Sequence, residues 1–509
     1  MSYTKHMRFH LVSLCIILLL FQACTSATQK NALILGVEAD IKNLDPRFAT
    51  DAYSQRALEL IYSGLVRMDK KGNIVPDLAT GWSMLDDKTY VFKIREGVTF
   101  HDGKGLSPSD IVYTLNSFKD EKTASPFKAA FSKIQKVEVS NPSEIKITLD
   151  KPDASFLTDL VIARIIPQHV DVETKPLNEF PVGCGPYQFI ESSIGLVKLK
   201  KFEGYFGGKA SMQELHIKTV ADDTTRITLL QKKQVDIIYN ILPPEAVKDF
   251  EKDSNFDVRK TPSFSVKYLI FNLKDPILKK QKVRQALAYA LNREQIIKHV
   301  LEGMAVKADG VLSPNNPFYS DDVKKYNYDI FAAKKLLDEA GYPKLSGKEH
   351  RLSLEYKTST NPEAMRVATI LANQLRAIDI NVKLSTYEWG TFYADIKSGN
   401  FQLASLIWVG VTDPNLYHVI FHSSMIPPQG SNRGYFSNAV MDQLTTLGQV
   451  TLDPLRRKSI YAQVQKIASE ELPYIPLWHP LYFSVSHKGL KNVDVWPNGS
   501  YWPLLQVTK

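Results

Sequence analysis

The sequence predicts an α/β protein with parallel strands, divided into more than one domain. Three observations predict it. The chain is 509 residues long, more than one hydrophobic core organises. The segments Leu352–Tyr356, Pro362–Ile378, Ile380–Leu384, Trp389–Ile396 and Gln402–Trp408 alternate strand, helix, strand, helix, strand. Leu215–Val220, Thr224–Lys232 and Val235–Tyr239 read as a β-α-β unit, which implies a parallel pair. Hydrophobic residues make up 44% and charged residues 23%, so a disordered or fibrous chain is excluded. The net charge of +9 is spread without a long basic run, which argues against a nucleic-acid partner.

In chain order, Lys5 and Arg8 precede an apolar run from Leu11 to Phe21, too short for a mature membrane span and suited to a secretory leader over residues 1–23. Ala23 is small, as cleavage requires, and Cys24 follows at once. Thr25–Asn31 is polar, a tether within 24–31. Cys15 lies in the leader and Cys184 stands alone in the body, so no intrachain disulfide is available there.

Ala32–Val37 is a strand. Asp51 caps a helix whose buried face is Ala57, Leu58, Ile61 and Leu65. Thr89–Arg95 alternates as a half-buried strand, with Tyr90, Phe92 and Ile94 on one side. Ser107, Pro108 and Asp110 open a helix with a capping pattern, and Ile111, Leu115 and Phe118 are its apolar stripe. Val137 and Val139 face Ile145, Ile147 and Leu149 in a hairpin turned at Asn141-Pro142. Asn361 and Pro362 start one helix; Gly341 closes another that contains Ala333, Leu336 and Leu337.

Beyond these periodicities stands an ordered series: Leu78-Ala79, Gly81-Trp82, Tyr90-x-Phe92-x-Ile94-Arg95-x-Gly97-Val98-x-Phe100-His101-Asp102-Gly103, and Asp110-Ile111-Val112-Tyr113. Further blocks are Val182–Tyr187, Tyr268–Asn272, Lys282–Leu287, Asn292–Glu294 and Tyr328-Asp329. The series resembles the family-5 solute-binding proteins, the extracytoplasmic receptors of peptide and nickel ABC importers. The resemblance implies a bilobed fold like that of type II periplasmic binding proteins, with an extra inserted domain. Its implied division is domain I at 32–56, 180–270 and 476–509, inserted domain II at 57–179, and domain III at 271–475. The chain would cross between lobes at Phe271-Asn272 and Pro476–Trp478, making a hinge and a closing cleft. Leu20–Cys24 likewise resembles a bacterial lipobox, in which acyl chains on Cys24 hold the protein to the membrane; simple cleavage beside a chance cysteine is the alternative.

The resemblance also implies where a ligand sits: Thr50, Asp51 and Ala52, then Tyr268, Phe271 and Asn272, Trp389, the stretch Trp408, Val409, Gly410, Val411 and Asp413, and Trp478. In peptide-binding relatives the Trp408–Asp413 stretch pairs its backbone with the ligand, as an added strand does. For Asp51 a plain helix cap, and for Trp408 ordinary core packing, remain open. Oligo- and dipeptide-binding members carry an aspartate three residues after that tryptophan, opposite the ligand ammonium. Val411 stands there instead, which predicts weaker binding of peptides with a free amino terminus; a peptide or peptide-like solute is the expected ligand, with a modified or cyclic peptide, a metal chelate, a sugar or a cell-wall fragment as the alternatives. The implied partners are a small molecule or short peptide, an ABC permease and, through the lipid anchor, a membrane, with the protein a monomer. Neither a cofactor nor a metal is implied. An enzyme is the rival class, but the chain has no G-x-S-x-G, H-E-x-x-H or P-loop pattern, and His418 with His422 lacks a neighbouring acid or cysteine in sequence. A surface-interaction lipoprotein on the same fold is a further reading.

Overall fold

The computed structural model describes residues 31–509. The leader, Cys24 and all but the last residue of the tether lie outside the described residues.

A mixed sheet of twelve strands runs through the protein, and a separate four-stranded antiparallel sheet is formed by Ala79–Met84, Thr89–Ile94, Glu144–Leu149 and Ile134–Asn141. Strand alternation decides which core each side chain enters. In Ala32–Val37, Leu33, Leu35 and Val37 join one cluster while Ile34 packs against another. In Val266–Phe271, Val266, Tyr268 and Ile270 face one core and Leu269 and Phe271 the opposite one. Two cores thus lie in each lobe, one on either face of the shared sheet, and a fifth fills the unit around the small sheet.

The strands Glu214–Thr219 and Ile237–Tyr239 are parallel, as a β-α-β unit requires, but they are not neighbours: Ala32–Val37 lies between them and pairs with both. In the second lobe Leu352–Ser359 is central, parallel to Ile380–Tyr387 on one side and Leu403–Trp408 on the other. The hairpin pairs Val137 with Ile147 and Val139 with Ile145. Helix Pro108–Lys119 starts where expected, with the Asp110 carboxylate accepting from the Ser107 N–H at 2.8 Å.

Three expected boundaries move. Helix Ala52–Ile61 is continuous through position 57, and Ala57, Leu58, Leu60 and Ile61 pack in the first lobe's core, as do Ile166 and Leu177. The inserted unit is therefore narrower than 57–179. The whole of Val266–Phe271 belongs to the second lobe, so the first crossing precedes Val266 instead of falling at Phe271-Asn272. The return crossing is likewise later than 476, because Leu477 and Trp478 are still in the second lobe's core and Phe483 and Val485 are in the first lobe's. One strand, Tyr474–His487, makes that return, pairing with Val266–Phe271 at its start and with Phe256–Pro262 and Ile237–Tyr239 further along. At the crossing the Ser263 N–H donates to the Pro480 carbonyl at 2.9 Å.

The chain's return from the inserted unit requires glycine. A Cβ on Gly185 would stand 2.6 Å from the carbonyl carbon of Ile61, whose oxygen accepts from the Gly185 N–H at 2.9 Å. Cys184 beside it is fully buried, and burial pushes its thiol up to about 12.

Candidate ligand-binding cleft

A cavity of about 1200 Å³ lies between the lobes. The first lobe and its inserted unit supply one wall, and the loop after Leu403–Trp408 with the end of helix Ala439–Val450 supplies the other. Parallel strands deliver their carboxyl ends to such crevices, where solutes bind in open α/β sheets. The walls touch where the Ala154 N–H donates to the Gln449 carbonyl at 2.8 Å and the Thr158 hydroxyl to Asp413 at 3.3 Å.

Of the residues expected at a ligand site, Thr50, Trp408, Val409, Gly410, Val411 and Asp413 line this cavity. Tyr268, Trp389 and again Trp408 line a smaller one beside it. The others are engaged elsewhere. Asp51 accepts from the Ser54 N–H at 2.9 Å as helix cap, and Ala52 begins that helix. Phe271 and Trp478 are buried in the second lobe's core. The Asn272 amide donates to the carbonyls of Gly399 and Phe401, both at 2.9 Å. None of these five lines either cavity.

The Trp408–Asp413 stretch is less free to pair with a ligand than its resemblance implies. The Gly410 N–H donates to Ser265 Oγ at 3.2 Å and the Val411 N–H to the Phe264 carbonyl at 2.9 Å. The Val411 carbonyl accepts from Asn316 at 3.0 Å. Val409, at 67%, and Gly410 are the exposed residues of this run. Asp413 is held in a two-pronged pair by Arg457, at 2.8 and 3.0 Å.

The remaining charges come from residues the sequence did not single out. Lys133 pairs with Asp153 and, at 2.5 Å, with Asp159. Burial raises the Asp159 carboxyl, and the charges of Asp153 and Asp413 add to the effect against the pull of Lys133. Three carboxylates thus crowd one part of the wall, with Lys133 shared by two of them. Elsewhere on the wall Arg164, 5% exposed, has its Nε buried with no partner among the described residues, and its nearest carboxylate, Glu59, is 3.9 Å away. Arg67 lies 5.1 Å over the Trp502 ring and has no carboxylate at ion-pair distance among the described residues. No local periodicity marks these groups, because residues 133–164 meet 408–450 only through the tertiary fold. Among the described residues no cluster of histidine, cysteine and acidic side chains has the form of a metal site, and no helix is long and apolar enough to cross a membrane.

Comparison with known proteins agrees with this architecture. The model of the bacterial extracellular solute-binding proteins, family 5, matches residues 73–425. The chain is 29% identical to the glutathione-binding protein GsiB of Escherichia coli (strain K12), with 97% of each chain covered. Among solved structures it is similar to NikZ of Campylobacter jejuni in complex with Ni(L-His), at 28% identity and TM-score 0.76 over 94% of this chain and 100% of that one. The oligopeptide-binding protein AppA of Bacillus subtilis, in complex with a nonapeptide, matches at 27% identity and TM-score 0.74, covering 94% and 98%. The interlobe cavity, the two-lobed α/β sheet and a family match over more than half its length together show that the chain belongs to the family-5 bacterial extracellular solute-binding proteins, the receptors of ABC importers.

Proposed function

We propose that this protein captures a zwitterionic, peptide-like solute between its lobes and hands it to an ABC permease, without covalent chemistry. Acyl chains on Cys24 would hold it to the outer face of a bacterial membrane. The observation that carries the ligand class is the mixed sign of the cavity wall. Asp153, Asp159 and Asp413 crowd together, and a solute ammonium placed among them relieves their repulsion. Arg164 and Arg67 offer guanidinium groups to a carboxylate. The carboxylate missing at Val411 is thereby replaced from the facing wall, so a free amino terminus is accommodated after all.

Two further points support the reading. At about 1200 Å³ the cavity exceeds the range of ~300–1,000 Å³ common for small-molecule pockets and has room for a short peptide. Relatives with names or bound partners of this chemistry include a glutathione-binding protein and a receptor holding a nonapeptide. Closure follows from differential contact: a solute touching both walls shifts the population toward the shut form.

Calorimetry on the mature protein tests this, with trialanine, N-acetyl-trialanine, trialanine amide and reduced glutathione. The reading expects trialanine or glutathione to bind, and capping either end of trialanine to weaken it at least about tenfold. Equal affinity for all three trialanine forms, or co-purification of a neutral sugar seen by native mass spectrometry, overturns it.

A further inference from the structure

A second cavity of about 480 Å³ opens beside the first, and Trp408 lines both. It sits where the parallel strands Leu352–Ser359 and Leu403–Trp408 end, with helix Pro362–Arg376 starting at its edge.

Two cations face this space with no counter-charge at ion-pair distance among the described residues. Arg433 is 9% exposed; its guanidinium lies 5.1 Å over the Tyr393 ring and 5.3 Å over Trp408. Among the described residues its side chain makes one hydrogen bond, donated to the Tyr393 hydroxyl at 2.9 Å, and a phenol does not neutralise it. Lys267 makes no side-chain hydrogen bond or ion pair among the described residues. Burial pushes its ammonium below the usual lysine value, and the Glu363 carboxylate acts on it only from beyond ion-pair distance. Several buried cations elsewhere in the fold are matched by acids, Lys357 by Asp395 at 2.8 Å, Arg47 by Asp45 at 2.6 Å and Arg457 by Asp413, and Arg284 is met by main-chain carbonyls such as that of Leu278 at 2.9 Å. A desolvated charge with no partner is costly, so a pair left open toward one cavity is a site prepared for an anion. The fork of an arginine fits a carboxylate, and the flanking rings suit a carbon stem: Trp389, 54% exposed, is stacked on Tyr393 at 5.5 Å.

We propose that this second cavity is a subsite for a carboxylate-bearing side chain of the bound solute, with Arg433 and Lys267 taking the acid and Trp389 and Trp408 covering its stem. The proposal rests on the adjoining cavity being the solute site, and it adds that the preferred solute carries an acidic side chain.

Two matched pairs of probes test it on the mature protein. The first is 4-phenylbutyrate against 4-phenylbutyramide, read by tryptophan fluorescence. The acid binds at least about tenfold tighter than the amide, and the preference collapses in Arg433→Met and in Lys267→Met and is partly kept in Arg433→Lys. Equal binding of acid and amide by the unaltered protein, or binding of neither, overturns the subsite whatever the variants do. The second pair is Ala-Glu-Ala against Ala-Gln-Ala by calorimetry. If both bind equally well, the cleft reading stands and the acidic subsite fails. If neither binds while phenylbutyrate behaves as expected, the anion subsite stands and the peptide-like reading fails.

Discussion

His479 donates from Nδ1 to the carbonyl oxygen of Ser265 at 2.9 Å, with both residues closed off from solvent. The bond ties the two chain segments that cross between lobes, so it sits at the pivot of any closing motion. The other ring nitrogen, Nε2, is buried and has no partner among the described residues. Replacing the ring with a methyl group leaves the Ser265 carbonyl unpaired. His479→Ala is expected to lower stability by about 1–3 kcal/mol, measured by urea unfolding.

The same geometry sets a pH dependence. Protonation would put a second N–H where nothing accepts it, and burial holds His479 down to about 4; burial also lowers His101 to about 4. The ordinary value is near 6.5, so between pH 6.5 and about 4 the unfolded chain binds more protons than the folded one. Stability is then complete above pH 6.5 and falls as the pH drops, by on the order of 1–2 kcal/mol per histidine by pH 5. Asp77, raised to about 6 by burial, works in the opposite sense below pH 6. Urea midpoints at pH 7 and pH 5 check the slope, and His479→Gln, which keeps a donor for Ser265, is expected to make it shallower.

Breaking the Arg457–Asp413 pair should harm the cleft wall more than an exposed pair would. Arg457→Met strands the carboxylate beside Asp159, at an expected cost of about 3 kcal/mol. Guanidinium unfolding of the variant against Arg457→Lys measures it, and a loss below the scatter of such titrations would count against a desolvated pair.

Gly185→Ala forces a methyl group against the main chain of Ile61, which has no room to yield within its helix and core. The expected loss is about 1–3 kcal/mol, read as a lower thermal midpoint.

Cys184 is predicted to be inert in the native protein, since its thiol is buried and pushed up to about 12. A thiol reagent should label the body only after denaturation; native labelling at a rate comparable to free cysteine contradicts the burial.

Legibility in the sequence followed the range of the interaction. Thr89–Ile94 is readable as a strand because its alternation is local, and Ser107 and Asp110 mark a helix start because a cap is settled within four residues. The crossing points were misplaced because the pairing of Tyr474–His487 continues across the lobes, and no composition change marks where one core gives way to the next. The Trp408–Asp413 loop carried its own motif. The opposing Lys133, Asp153, Asp159 and Arg164 did not, and neither did the isolation of Lys267 and Arg433, since the absence of a neutralising neighbour is a property of three-dimensional company.

The long closing strand has one more consequence. Tyr474–His487 is an interior ribbon of both halves, supplied by the last tenth of the chain. Translation halted after Glu471 would leave two sheets each gaping at a central seam, so the cell gets no working half-receptor from an unfinished product, and assembly must wait until nearly the whole polypeptide has emerged.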